Sequence, residues 1–415
     1  MNTNIVYDRA EDINKKKCII YAGDYLGYNN TAMQVHAINI AKIFESIGYS
    51  VVFVSFYGWK PDMNKEVFCT PSGESFHCYY TIDHPIPNNI HRKLYRQYHS
   101  ISGNLHYKRI IDLASKYGAE LIIYYGYISV KNLVKNYRKN RIPILIDRTD
   151  WFDYKQAKDL YTRKLWAKHT ERCIQKWSTF ASGMIAISPF FYDYYKDKLP
   201  TIMIPALADI HIDSYRDSHN RRDEVFRIVY TGTPGRKDLL KPIIDAVNQI
   251  NKEKLRIYFD IVGITYYGDF TEEDAVNKGI RFHGVVSHEK AMRIVAQSDC
   301  SVLLRKNERY AKAGFSTKFS ESMTLGVPVL CTKVGGADEC IKDNENGFLI
   351  SDNEVDTVKS KLESIINMTK DDLFRIKHNA ALYGKEHFCY KSYVDEMREF
   401  LDKYIFKKRQ NTEMF

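Results

Sequence analysis

Two stretches of this 415-residue chain combine glycine, hydroxyls and cations at spacings suited to holding phosphate. The first runs Ala313-Gly-Phe-Ser-Thr-Lys-Phe-Ser-Glu-Ser-Met-Thr-Leu-Gly-Val-Pro-Val-Leu330, followed by Val334-Gly-Gly-Ala-Asp-Glu339 and Asn346-Gly-Phe348. Gly314 relaxes the backbone ahead of a helix whose early amides, near Ser316, Thr317 and Lys318, lack intrahelical partners, and such a helix start attracts phosphate. Glu321 lies four residues beyond Thr317, one too many for a capping box, so nothing in the spacing commits its carboxylate to closing the helix end.

The second stretch, Val229-Tyr-Thr-Gly-Thr-Pro-Gly-Arg-Lys-Asp238, reads as a strand running into a glycine-bounded turn with two cations before a helix. That pattern suits a pyrophosphate, met by Arg236, Lys237 or both. A solvated basic turn would look the same. The spacing is neither that of a dinucleotide fingerprint nor that of a P-loop with its Lys-Ser/Thr ending. Arg305 ends the apolar run Ser301-Val-Leu-Leu304, where it can reach the same anion or close a structural salt bridge. Gly263 follows Phe259-Asp-Ile-Val262 as a strand-ending turn. Nearer the N-terminus, Gly27 lies in the loop Gly23-Asp-Tyr-Leu-Gly-Tyr-Asn-Asn-Thr31, and Asp147, Arg148 and Asp150 follow the apolar residues Ile144-Leu-Ile146. Either carboxylate can bind a ligand hydroxyl or cap the next helix. No carboxylate pair with a fixed acid and base is identifiable, and no Asp-x-Asp follows a strand to hold a divalent cation, so no metal is expected.

The elements that must position these residues alternate. Cys18–Ala22, a helical pattern from Ala32 to Ile47 ended by Gly48, then Ser50–Phe56 read strand, helix, strand. Further strands are expected at Glu120–Tyr125, Ile142–Ile146, Gly183–Ile187 and Thr201–Ile204, near-continuous apolar runs that suit a sheet covered on both faces. The pattern lapses between Pro205 and Arg227, where we place a domain boundary. A second series follows: strands at Phe226–Tyr230, Arg256–Val262, Ile280–Phe282, Cys300–Leu304 and Val327–Cys331, with helices over Lys241–Asn251, Glu289–Ala296 and Lys318–Leu325. Two doubly wound lobes in sequence imply a ligand cleft.

The segment from Ala313 to Gly336 resembles the retaining GT-B glycosyltransferases of family four, glycosyl transferases group 1. Their motif is Glu, seven residues, Glu, a small-residue helix, Gly-x-Pro-Val and a Gly-Gly turn. Glu321 matches the second Glu, which in that family accepts hydrogen bonds from the donor ribose; Ala313 stands where the first would be. Gly314-Phe-Ser-Thr-Lys318 is similar to a Gly-Phe-Pro-Thr-Lys variant of the superfamily. The resemblance implies an α/β fold of the GT-B type, two Rossmann-like doubly wound domains facing a central cleft. Residues 1–207 would be the acceptor side, 208–388 the nucleotide-sugar domain, and 389–415 a helix returning to the first domain. It implies a retaining transfer from a nucleoside-diphosphate sugar, with no separate cofactor, to a glycan or lipid-linked acceptor in surface polysaccharide assembly. The donor residues would be Gly27, Arg236, Lys237, Gly263, Arg305, Gly314, Phe315, Ser316, Thr317, Lys318 and Glu321, with Asp150, Asp147 and Lys237 nearest the chemistry. The rival expectation, suggested by Ala313 and by the absence of a His after Ile146, is a non-catalytic GT-B subunit.

Composition narrows the partners. A net charge of +10 suits an anionic partner. No helix-turn-helix, zinc pattern or RNA-binding motif occurs, so nucleic acid is not expected. The eight cysteines are scattered and read as buried thiols. Neither a secretion signal nor a run of about 18 apolar residues is present, which leads us to expect a cytoplasmic protein. Ile90–His99 and Tyr107-Lys-Arg109 interleave bases with aromatics and fit either peripheral contact with anionic lipid at the inner membrane face or a solvated surface.

Overall fold

The structure, a computed structural model, describes residues 17–23, 26, 32–56, 67–69, 75–80, 102–151, 162–208, 210, 225–234, 237–268 and 278–407. The chain divides into two units: residues 1–187, 191–204 and 390–415 form the first, and residues 188–190 and 205–389 the second.

The first unit is built on β1 (Lys17–Gly23), β2 (Tyr49–Ser55), β3 (Val67–Cys69), β4 (Ser75–Tyr80), β5 (Ala119–Tyr125), β6 (Ile144–Arg148), β7 (Gly183–Ala186) and β8 (Thr201–Met203). These lie in the order β3-β4-β2-β1-β5-β6-β7-β8. Every pairing is parallel except β3 with β4. The central strands are buried along almost their whole length, which is why they read as unbroken apolar runs. The helix Ala32–Ile47 ends where expected: Gly48 has φ +112°, a left-handed conformation closed to most side chains, and its N–H donates to Glu45 O at 3.0 Å. The C-terminal segment packs here too. Phe400 and Ile405 approach so near that a Cβ on Gly183 would lie 3.1 and 3.0 Å from them.

The second unit carries β9 (Phe226–Thr231), β10 (Ile257–Val262), β11 (Ile280–Gly284), β12 (Cys300–Leu303), β13 (Val329–Thr332) and β14 (Phe348–Ile350). All pair in parallel, in the order β11-β10-β9-β12-β13-β14. Alternation along β9 sends Phe226, Ile228 and Tyr230 into one apolar cluster and Val229 into another, so both faces of the sheet are covered. Winding reverses between β9 and β12, and ligands of such sheets bind outside the carboxyl ends of the strands at that switch point.

Candidate functional site

Beyond the ends of β9, β10 and β12 the second unit gathers the groups that the sequence singled out, around a residue that it did not. Asp238 is buried, and its carboxylate accepts from Arg305 Nε at 2.8 Å, Lys318 Nζ at 2.7 Å and the Tyr230 hydroxyl at 2.8 Å. Burial by itself would raise this carboxyl; Arg305 and Lys318 outweigh it and hold Asp238 below the usual carboxylate range. Burial depresses the Lys318 ammonium, Asp238 pulls it back up, and Arg305 pushes it further down. The Tyr230 hydroxyl is pushed far up by burial and by Asp238. Two cations against one carboxylate leave the cluster with a surplus positive charge, a setting that asks for an anion.

Backbone geometry fixes Arg305. Asp238 and Arg305 form an isolated antiparallel bridge, Leu239 N–H donates to Leu304 O at 2.8 Å, and Arg305 N–H donates to Thr332 Oγ1 at 2.9 Å. Lys318 reaches the cluster from the helix Thr317–Thr324, across a strip of backbone held at positive φ by two glycines. Gly232 has φ +97°, and a Cβ there would meet Lys318 Cε at 2.7 Å. Gly263 has φ +110°, and its Cβ would meet the Gly232 carbonyl carbon at 2.8 Å. Gly263 is thus the wall behind Gly232, and Gly232 is the floor on which the Lys318 side chain lies.

The helix Thr317–Thr324 starts at Ser316, whose side chain makes no cap hydrogen bond. The first helical amides to find carbonyl partners are those of Phe319 and Ser320, both donating to Ser316 O. One turn on, Glu321 accepts from His288 Nε2 at 3.1 Å. That hydrogen bond, together with the Glu321 charge, raises the His288 imidazole above its ordinary value against the opposing effect of burial. His288 opens the helix His288–Ala296, capped by Ser287, whose side chain accepts from Lys290 N–H at 3.2 Å.

Several expectations change. Gly314 is extended, with φ −93° and ψ 157°, so its conformational freedom is not used; it ends the short helix Arg309–Ala313. Phe315 packs its ring edge-on to Phe319 and beside Phe388, as part of an aromatic cluster. Ala313 is wholly buried and its carbonyl accepts from Ser188 Oγ at 2.7 Å. Lys237 is half-buried, while the cations on Asp238 are Arg305 and Lys318. Arg236 and Gly27 lie outside the described residues, as does Ile90–His99.

In the first unit, Asp147 is not the open carboxylate expected. It is buried, takes the Tyr21 hydroxyl, and accepts from His36 Nε2 at 2.9 and 3.1 Å, so its oxygens are occupied by its own fold. A histidine does stand by this carboxylate, but it comes from the helix Ala32–Ile47 and not from beyond β6. Arg148 is buried as well, donating to Gly126 O at 2.9 Å and Ser178 Oγ at 2.8 Å beneath the Tyr127 ring. Asp150 is exposed.

Residues 211–383 match the family model described as glycosyl transferases group 1. The matched stretch lies within the second unit. An uncharacterized glycosyltransferase of Methanocaldococcus jannaschii is 28% identical over 178 residues, 41% of this chain and 42% of that protein, so the chain spans under half the length of this relative. Solved structures match across both units. Sucrose-phosphate synthase from Thermosynechococcus elongatus matches with a TM-score of 0.71 at 14% identity, over 94% of this chain and 99% of that one. Anabaena HepE in complex with UDP-glucose matches with a TM-score of 0.60 at 16% identity, over 93% and 99%. Both units are doubly wound sheets, parallel except for β3 with β4, and the fold is GT-B.

Proposed function

We propose that the chain is a glycosyltransferase that moves a sugar, with retention, from a nucleoside-diphosphate donor to a glycan or glycolipid acceptor in surface polysaccharide assembly. The observation that carries the reading is the pair of cations tethered to Asp238 beside a helix start whose Ser316 side chain makes no cap hydrogen bond. Lys318, Arg305, Lys237, Arg236 and the amides of Ser316, Thr317 and Lys318 hold the diphosphate. Together they stabilise the charge that grows on the leaving group, which is positive charge supplied without Mg²⁺. Glu321 takes the ribose hydroxyls and Gly263 lies toward the base. Asp150, exposed two residues beyond β6, meets a sugar hydroxyl. The complex of HepE with UDP-glucose supports a uridine diphosphate sugar as the first donor to try.

The test is release of nucleoside diphosphate from UDP-glucose, UDP-galactose and GDP-mannose by the purified chain, with and without glycolipid acceptor. Turnover of one donor that rises with acceptor supports the reading; donor binding with no hydrolysis or transfer under any condition overturns it. That second outcome is what a non-catalytic GT-B subunit would give, and the burial of Ala313 at the place of the family's first Glu favours that alternative.

A further inference from the structure

The first unit carries a basic and aromatic surface that neither the donor site nor the sheet core uses. Val130–Asn140 and Thr162–Phe180 together hold nine Lys and Arg residues and one acid, Glu171. That acid is occupied: Glu171 accepts from Trp151 Nε1 at 2.7 Å and Gln175 Nε2 at 2.6 Å. Three lysines converge on one indole. Lys131, Lys135 and Lys176 place their ammonium groups 5.7, 5.3 and 5.3 Å from the Trp177 ring centre. Lys168 and Arg172 are exposed on the adjoining helix, and none of these five cations enters a salt bridge among the described residues.

Apolar groups stand out of the same surface. Phe180 is 59% exposed with its ring 6.3 Å from that of Trp177, and Leu165 is 52% exposed. A soluble anion would be served by the cations alone and would gain nothing from an exposed phenylalanine. A lipid headgroup layer uses both, because aromatic rings settle at the boundary between headgroups and acyl chains while lysines pair with phosphates. Among the described residues no helix is long and apolar enough to cross a membrane, so such a contact is made from one side.

We infer that this face, centred on Trp177 and Phe180 and ringed by Lys131, Lys135, Lys168, Arg172 and Lys176, docks the protein on a membrane surface rich in anionic lipid. Membrane docking here does not depend on the donor reading, since it uses none of the same residues. Each lysine near an anionic surface changes partitioning by about fivefold, so reversing three is expected to lower it by more than about a hundredfold.

The experiment is co-sedimentation of the full chain with vesicles of phosphatidylcholine mixed with phosphatidylglycerol, and with vesicles of phosphatidylcholine alone, at low and high salt. The expected result is binding to the mixed vesicles only, weakened by salt, abolished by K131E/K135E/K176E and reduced by F180S, with melting curves like the parent's. Should the triple variant fail to fold, tryptophan emission decides the matter: brominated phosphatidylcholine in mixed vesicles is expected to quench it, and the quenching to be lost on W177F. Equal recovery on neutral vesicles, mixed-vesicle binding that survives charge reversal, quenching unchanged in W177F, or tighter binding to a soluble polyanion such as RNA overturns the inference.

Discussion

The Lys318 ammonium and the Asp238 carboxylate meet at 2.7 Å although 80 residues separate them in sequence. With Arg305 on the other oxygen, the carboxylate holds two like charges in place in a buried setting. Removing it strands both cations, and breaking a buried pair by deleting one partner costs about 3–5 kcal/mol. Asp238→Ala should therefore lower the unfolding free energy by that amount, read as a lower denaturant midpoint at unchanged slope. The pH dependence follows from the depressed carboxyl. The contribution of Asp238 is present above the ordinary carboxylate value of about 3.9 and is lost as pH falls through the lower folded value. The gap between wild type and Asp238→Asn should stay flat around neutrality and close only in acid.

Glu321 should report on the ribose alone. Glu321→Ala is expected to weaken UDP binding by roughly tenfold or more, the worth of a hydrogen bond to a charged group, while inorganic pyrophosphate binds as before. Calorimetry with the two probes separates the roles; equal loss for both would move Glu321 to the phosphates.

The two glycines behind Lys318 predict different losses. Gly263→Ala puts a Cβ 2.8 Å from rigid Gly232 backbone at φ +110° and should cost on the order of 1–3 kcal/mol of stability. Gly232→Ala also strains φ, but it presses on a side chain able to move. Thermal melts should show the smaller loss for Gly232→Ala, and UDP titration should nevertheless show weakened binding as Lys318 is displaced.

His288 supplies a pH signature. Its imidazole is raised by Glu321, so the pair contributes fully below the unfolded value of about 6.5 and is lost as pH rises through the higher folded value. The side chain is 41% exposed, which limits the contribution to about 1 kcal/mol or less. Denaturant curves of wild type and His288→Gln should differ most below about pH 6.5 and converge as the pH rises above it; a gap that widens with pH would contradict the pairing.

What is legible in the sequence follows from range. Strands buried on both faces announce themselves as apolar runs, and Gly48 marks a helix end through a purely local need for positive φ. The group 1 segment is readable because its glycines and proline are set by the backbone within a few residues. Asp238 stands in plain view beside Arg236 and Lys237, yet nothing local assigns it a role, since the two cations it holds lie 67 and 80 residues away. Its one local signal is an acid next to a two-cation turn. Asp147 misleads for the same reason: Tyr21 and His36 come from 126 and 111 residues upstream to bury it. The antiparallel β3–β4 pair escapes notice because Ser75-Phe-His-Cys-Tyr-Tyr80 is too mixed to stand out.

That the second unit holds a nucleoside diphosphate through the cations on Asp238 is tested most directly by calorimetric titration of UDP, GDP and ADP into wild type and Lys318→Met. Wild type is expected to bind at least one of the three. Lys318→Met, still folded, should bind it roughly 10- to 100-fold more weakly, as expected for a lost charge-assisted hydrogen bond. Wild-type protein that binds none of them, or a folded Lys318→Met that binds as tightly as wild type, would contradict it.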